Sequence, residues 1–195
     1  MLEHLLRPFS YWRIDHRLKW RIDWLLPGGL ALLCTIVVAA AGVHGGGVVF
    51  GDTGLVAKVL GFVQNLPGFY IAALAAIATF NRPDIDRHMP EPTPVMDISV
   101  HGRSVEIKLT RRRFLSSMFA FLTAESILIT LLAIGSISVS EAVKSVLPPG
   151  IAHTTAKYLF TWVFLMFFWQ MVVATFWGLY YLGEKLHQPD QTPSA

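Results

Sequence analysis

The sequence predicts an all-α membrane protein, built as a four-helix transmembrane bundle with an N-terminal interfacial helix and a small cytoplasmic β-hairpin. Of the 195 residues, 53% are hydrophobic and only 15% are charged, whereas soluble domains carry about 25% charged residues. Four long stretches contain no charge apart from Glu125 in the third: residues 24–51, 59–81, 114–140 and 158–183. These observations exclude an ordinary soluble enzyme, and the single cysteine, Cys34, excludes a disulfide-stapled module.

Each uncharged stretch is long enough to cross a bilayer, because about 20 apolar helical residues cover about 30 Å of hydrocarbon. We predict span one at residues 25–43, span two at 56–80, span three at 114–139 and span four at 157–182. A segment before them, residues 1–24, mixes Trp12, Trp20 and Trp24 with charges. This mixture is typical of an amphipathic helix at the headgroups, and we expect it to break or bend near Pro8.

The loop between spans two and three, residues 81–113, opens with prolines and then alternates apolar and polar residues. The alternation predicts a hairpin over residues 95–109, with a tight turn at His101-Gly102-Arg103. An isolated hairpin is marginal in water, so we expect it to pack on the membrane, on the N-terminal helix or on a partner. The polar tail, residues 183–195, is expected to be disordered.

Basic residues predict the orientation of the chain in the membrane. Thirteen of the sixteen Lys and Arg residues lie in the N-terminal segment, the 81–113 loop or the tail. The positive-inside rule therefore places both termini and this loop in the cytoplasm. We expect contacts with anionic headgroups, and no nucleic-acid binding. The residues that carry the topology and lipid contacts in this prediction are Arg17, Lys19, Arg21, Arg111, Arg112 and Arg113.

Polar residues near the centres of the spans are the candidate functional site. Glu125 lies near the middle of span three, Gln170 near the middle of span four, and Gln64 and Asn65 near the middle of span two. A carboxyl at mid-depth costs about 3 kcal/mol, and a shared hydrogen-bonded cluster would lower that cost. Glu125 is therefore either a proton, ion or gating site, or a neutral side chain bonded to a neighbouring helix or protomer.

Small residues at four-residue spacing predict close helix packing. Spans two and three carry them, so we expect these spans to form the interior, with Pro67 kinking span two near residues 63–65. Span four is aromatic-rich, and we expect it to face lipid or a subunit. The predicted packing residues are Gly68, Ala72 and Ala76 on span two and Ser116, Ala120 and Ala124 on span three.

No motif indicates an enzyme. The seven histidines have no metal-ligand spacing, and no nucleophile elbow or nucleotide fingerprint is present. We therefore expect no catalytic residues, no metal and no cofactor.

A family likeness is found in the central third of the chain. This third contains the stretches GFYIAALAAIATF, residues 68–80, and LTRRRF, residues 109–114, with the proline-rich loop between them. It resembles the small multi-span membrane effectors of bacterial anti-phage systems, including those of some retrons. The resemblance implies a bacterial inner-membrane protein that a cytoplasmic partner keeps silent until infection, when it damages the membrane and stops growth.

Three functions follow from the sequence. The first is a membrane-perturbing or pore-forming effector, for example in anti-phage defence. It would act in the bilayer as a homo-oligomer or under the control of a cytoplasmic regulatory partner. The second is a small transporter or channel subunit in which Glu125 binds a proton or cation. The third is an accessory structural subunit of a membrane complex.

Overall fold

The computed structural model is mostly helical, and it describes residues 6–14, 19–43, 49–79, 83–89, 93–100, 103–146 and 150–185. Its α-helices in these ranges are α1 (Leu26–Val43), α2 (Leu55–Val63), α3 (Leu66–Thr79), α4 (Arg111–Val146) and α5 (Ile151–Tyr180). Short 3₁₀ helices cover Arg7–Arg13 and Pro83–Asp86, and π-helical turns cover Arg21–Leu25 and Tyr181–Lys185. Strands β1 (Val95–Val100) and β2 (Arg103–Lys108) form an antiparallel pair.

Four helical segments are long and apolar enough to cross a membrane, by length and composition. Burial differs among them: 44% of the third segment's most apolar window is buried and 33% of the fourth's, against 17% for each of the first two. The interior is therefore built by the third and fourth segments, rather than by the second and third as the small residues suggested. The segments are Arg21–Val43, Leu55–Thr79, Arg111–Val143 and Ile151–Gly183.

The second segment is interrupted, as the sequence predicted. Its helix stops at Val63, turns through Gln64 and Asn65, and restarts at Leu66. Pro67 is the second residue of the new helix, where its missing N–H costs nothing, because the first turn of a helix has no internal partners for its donors. The break divides this segment into α2 and α3, each of which packs against α4.

An antiparallel pairing of α4 with α5 forms the scaffold of the fold. Tyr70 of α3 contacts both helices and so shows which of their residues lie at the same height along the helix axes. Its hydroxyl bonds to Thr175 of α5 (Oη to Oγ1, 2.7 Å), and its ring centroid lies 6.2 Å from that of Phe119 of α4. The rings of Phe114 and Tyr181 are 5.5 Å apart, which fits the same register. Helix α1 joins this pair through α5, and Trp162 Nε1 donates to the carbonyl of Gly28 over 3.4 Å.

The N-terminal 3₁₀ helix packs on α4. Pro8 lies in its first turn, so this proline starts the helix and does not break it. Tyr11 is 3% exposed, and its ring stacks on that of Phe121 with centroids 5.0 Å apart. The predicted interfacial segment is thus in part an arm that packs against the protein. The structure does not describe residues 1–5 and 15–18, which include Arg17.

The predicted hairpin is present, with Val95 opposite Lys108 and Val100 opposite Arg103. Residues 101 and 102, where the turn was expected, lie outside the described residues, as does the tail beyond residue 185. Backbone bonds attach the end of β2 to the segment that precedes β1: Leu109 N donates to Pro94 O over 3.0 Å, and Met89 N donates to Leu109 O over 3.1 Å. Met89 and Met96 are both buried. The hairpin thus gains its stability from a small apolar contact with the rest of the chain.

Arg112 ties the loop to two helices. Its guanidinium makes two bonds to the carboxylate of Asp86, of 2.6 and 3.1 Å, and donates to the carbonyl of Ile77 over 2.6 Å. The last carbonyls of α3 have no partner within their own helix, and a cation there also interacts well with the helix dipole. One side chain therefore caps α3, anchors the 83–86 turn and belongs to the first turn of α4.

We expect Arg112→Gln to lower the melting temperature of the purified chain in detergent, because it removes both the ion pair and the cap on α3. Arg113→Gln is the matched control, since the neighbouring Arg113 is exposed. Equal melting temperatures for the two variants would contradict the capping role.

The same contact predicts an acid sensitivity. Hydrogen bonds from Arg112 hold the pKa of Asp86 below its ordinary value, so this contribution to stability is complete above about pH 4, the ordinary range of an aspartate. It is lost as the pH falls through the lowered pKa of Asp86. In melting curves measured at decreasing pH, Asp86→Asn should lose less stability than the parent chain over that interval.

Candidate functional site

The two central polar residues, Glu125 of α4 and Gln170 of α5, lie at the same height in the helix pair. Phe119 is level with Thr175, and the helices run in opposite directions, so residue 125 is level with residue 169. Glu125 is 3% exposed and Gln170 is 2% exposed. The register of the scaffold thus places both side chains in one buried layer.

Neither side chain is satisfied within the described part of the chain. Both carboxyl oxygens of Glu125, and both the oxygen and nitrogen of the Gln170 amide, have no hydrogen-bond partner there. The indole nitrogen of Trp169, in the same layer, also has none among the described residues. Buried polar groups are nearly always hydrogen-bonded in proteins. Acceptors and donors without partners at one height therefore mark this layer as a site that could bind a polar ligand or an ion.

A second acid borders the layer. Asp23, in the π-helical turn before α1, is 4% exposed and interacts electrostatically with Glu125. Its carboxylate pairs with Lys19 at 2.5 Å (Nζ to Oδ2), and Tyr11 donates its hydroxyl to the other oxygen at 3.5 Å. The ammonium of Lys19 also lies 4.2 Å from the centre of the Tyr11 ring. Asp23 is therefore compensated by a cation, whereas Glu125 makes no such bond to any residue that the structure describes.

The Tyr11 hydroxyl lies in a region from which water is largely excluded. Burial raises the pKa of the Tyr11 hydroxyl well above its ordinary value, and the charge and hydrogen bond of Asp23 raise it further. The hydroxyl is therefore a donor at every physiological pH. It holds the Asp23 carboxylate in place beside Glu125.

Tyr70 approaches Glu125 from another element. It is 4% exposed, lies on α3 and interacts electrostatically with Glu125. Thr175 Oγ1 donates to the carbonyl of Met171 over 2.7 Å, so its hydroxyl accepts the bond from Tyr70. Glu125 thus has Asp23 and Tyr11 from the N-terminal region and Tyr70 from α3 in its electrostatic surroundings.

The other predicted cluster members do not join this layer. Gln64 and Asn65 lie at a similar height, as shown by the neighbouring Phe62, whose ring centroid is 6.0 Å from that of Phe168 on α5. Gln64 and Asn65 are nevertheless exposed, at the break between α2 and α3. The hydroxyls of span three are also occupied: Thr123 donates to Phe119 O over 2.7 Å and Thr130 to Ser126 O over 2.8 Å. Such bonds to the preceding turn leave no proton for contacts between helices.

The small residues divide into two sets. Gly68, Ala72 and Ala76 are exposed on the outer side of α3, so they do not pack closely against any other described part of the chain. On α4, Ser116, Ala120 and Ala124 are half-buried.

The basic residues predicted to contact lipid have internal partners in several cases. Arg111 is 3% exposed, Arg112 binds Asp86, and Lys19 pairs with Asp23. Arg21 and Arg113 are exposed.

Sequence reasoning missed Asp23, Tyr11 and Tyr70. One signal for Asp23 was present, because it is the last charged residue before the first uncharged stretch. Nothing in the sequence indicated that Tyr11 would stack on Phe121 and bond to Asp23.

The chemistry of the layer is that of carboxylates and amides. Among the described residues, no group of three or more His, Cys, Asp or Glu side chains is placed to hold a metal ion. No protein-family model, curated protein or solved structure matches the chain. The geometry of this layer is therefore what bears on function.

We expect Gln170→Leu to stabilise the purified chain by about 1 to 2 kcal/mol. The change replaces a buried amide, which has no hydrogen bond to any described residue, by an apolar side chain. Thr175→Val should act in the opposite direction by about 1 kcal/mol, since it leaves the Tyr70 hydroxyl without its acceptor. Both changes are measured by thermal unfolding in detergent. A loss of stability in Gln170→Leu would mean that the amide does have a partner.

Proposed function

We propose that this chain is a multi-pass membrane protein whose buried layer at Glu125 takes up a proton or a small cation, in the manner of a small transporter or channel subunit. The observation that carries the proposal is the burial of Glu125, at 3% exposure, with both carboxyl oxygens lacking hydrogen bonds in the described chain. Acidic side chains within membrane spans are rare, and they mark ion pathways and proton relays in pumps and transporters.

The cost of the acid supports this choice. An isolated ionised carboxylate is far too costly in an apolar interior, and a real group binds a proton or a cation instead. Lys19 is already paired with Asp23. Among the described residues no other cation bonds to Glu125, so a proton or cation bound from solution would supply the compensating positive charge.

The membrane placement belongs to the same proposal. The four long apolar segments are suited to cross a bilayer, and the distribution of Lys and Arg favours both termini and the 81–113 loop on the cytoplasmic side of a bacterial inner membrane.

The test uses the full chain in liposomes that contain a pH-sensitive dye, with a potassium diffusion potential as the driving force. We expect a proton or cation flux above that of protein-free liposomes. Glu125→Gln and Glu125→Leu should both reduce the flux to that background, because neither side chain can exchange a proton or bind a cation. Glu141→Gln, a change of an exposed acid on the same helix, should keep the flux.

The two Glu125 variants separate the alternatives. Full flux in Glu125→Gln with loss in Glu125→Leu would show that only a hydrogen bond is needed, and would overturn the proposed uptake. Full flux in both would show that Glu125 has no part in the pathway.

A second candidate is the membrane-perturbing effector, in which copies associate in the bilayer under the control of a cytoplasmic partner, as in anti-phage defence. The outer face of α3 favours it: Gly68, Ala72 and Ala76 are exposed, and Phe69 and Ile71 beside them are 69% and 55% exposed. Small residues on a membrane-facing side allow a second helix to approach closely.

This candidate predicts a contact between copies at Ala72. In a Cys34→Ala background, Ala72→Cys should form a disulfide-linked dimer in membranes under mild oxidation. Ala73→Cys, at the next position and packed toward the core, should not. Induction of the chain in cells should lower the membrane potential, and Ala72→Leu should weaken that effect. Absence of the dimer, or an undiminished effect in Ala72→Leu, would exclude association through this face.

A further inference from the structure

A groove of about 990 Å³ lies between α4, α5 and the segment at Val49 and Phe50. This volume is at the upper end of the range of ligand sites, roughly 300–1,000 Å³. Phe50 closes one side, with its ring 5.5 Å from that of Phe160. The groove is separate from the buried layer, because neither Glu125 nor Gln170 lines it.

The lining changes character along the groove. At the end nearer Glu125 it is formed by Leu128, Leu131 and Leu132 of α4. Toward the connection between α4 and α5 it contains His153 and Lys157. Three apolar side chains at one end and two nitrogen bases at the other match an amphiphile with an acidic headgroup.

The length of the groove fits a hydrocarbon chain. Its lining on α4 runs from Leu128 to Val143, which is about 22 Å at the helical rise of 1.5 Å per residue. One leaflet of a bilayer has about 15 Å of hydrocarbon, half of the total of about 30 Å. An acyl chain can therefore lie along α4 while its headgroup stays at the end that carries Lys157.

The charged end favours an anion. The ammonium of Lys157 lies 4.6 Å from the centre of the Tyr158 ring, an arrangement that leaves its charge in place. His153 has at least one ring N–H in either protonation state. The serines of the lining, Ser136 and Ser140, already donate to Ala133 and Ile137, so the lysine and the histidine supply the donors. Glu141 is exposed on α4 nearby in sequence and does not line the groove.

We propose that this groove binds an anionic phospholipid, with an acyl chain against Leu128, Leu131 and Leu132 and the phosphate held by Lys157 and His153. The proposal rests on the proposed membrane placement and is independent of the role given to Glu125.

The experiment is native mass spectrometry of the full chain in mild detergent, with dioleoyl phosphatidylglycerol and dioleoyl phosphatidylcholine added in equal amounts. We expect one retained phosphatidylglycerol in preference to phosphatidylcholine. Lys157→Gln should reduce that preference roughly fivefold, the effect of one cation near anionic lipid. Lys58→Gln, which removes an exposed cation outside the groove, should leave the preference unchanged.

A second pair of variants tests the apolar end. Leu132→Trp should reduce retention of both lipids by filling the groove, whereas Ile134→Trp should not. These positions are 47% and 48% exposed, and only Leu132 lines the groove. Glu125→Gln should retain lipid like the parent chain, which separates this site from the proposed uptake of a proton or cation.

Three results would overturn the proposal. Equal retention of the two lipids would show that the headgroup is not recognised. Equal effects of Leu132→Trp and Ile134→Trp would show that the chain lies elsewhere. Displacement of the lipid by inorganic phosphate alone would show that the groove binds a free anion.

Discussion

The register between α4 and α5 is the constraint on which the rest of the structure depends. The N-terminal 3₁₀ helix, α2, α3 and the 83–86 turn all pack on α4, and α1 packs on α5. Because Phe119 and Thr175 are level, Glu125 and Gln170 occupy one layer. A shift of one helical turn would move these side chains about 5.4 Å apart along the axis and would break the bond between Tyr70 and Thr175.

The polar layer works against the stability of the fold that holds it. Removing a carboxyl and an amide from water without hydrogen bonds costs several kcal/mol. The neighbouring apolar residues offset that cost, since Phe121, Leu122 and Ile129 are each at most 3% exposed. Natural proteins break such local rules mainly at functional or strained sites, which is why the proposed uptake is assigned to this layer.

The sequence predicted features that depend on local composition. The apolar stretches, the hairpin at residues 95–109 and the break before Pro67 follow from period, charge and backbone chemistry. It could not predict which way a helix face turns. Gln64 and Asn65 share the height of the site, but the break in the helix turns them outward. Small residues on α3 fit a lipid face and a helix interface equally well, and the contact of Asp23 with Tyr11, twelve residues earlier in the chain, is not visible in the sequence.

The length of α4 has a consequence for how the site exchanges with its surroundings. Its 36 residues extend about 54 Å, well beyond the hydrocarbon thickness of about 30 Å. The N-terminal arm brings Lys19 and Asp23 beside Tyr11, so charged groups reach down one side of the helix as far as Glu125. On the other side α4 continues for about four further turns, from Leu128 to Val143, along the groove. Under the proposed uptake, access to the acid is one-sided: a captured proton or cation exchanges first with the compartment that the arm faces, and passage to the opposite compartment is the slow step.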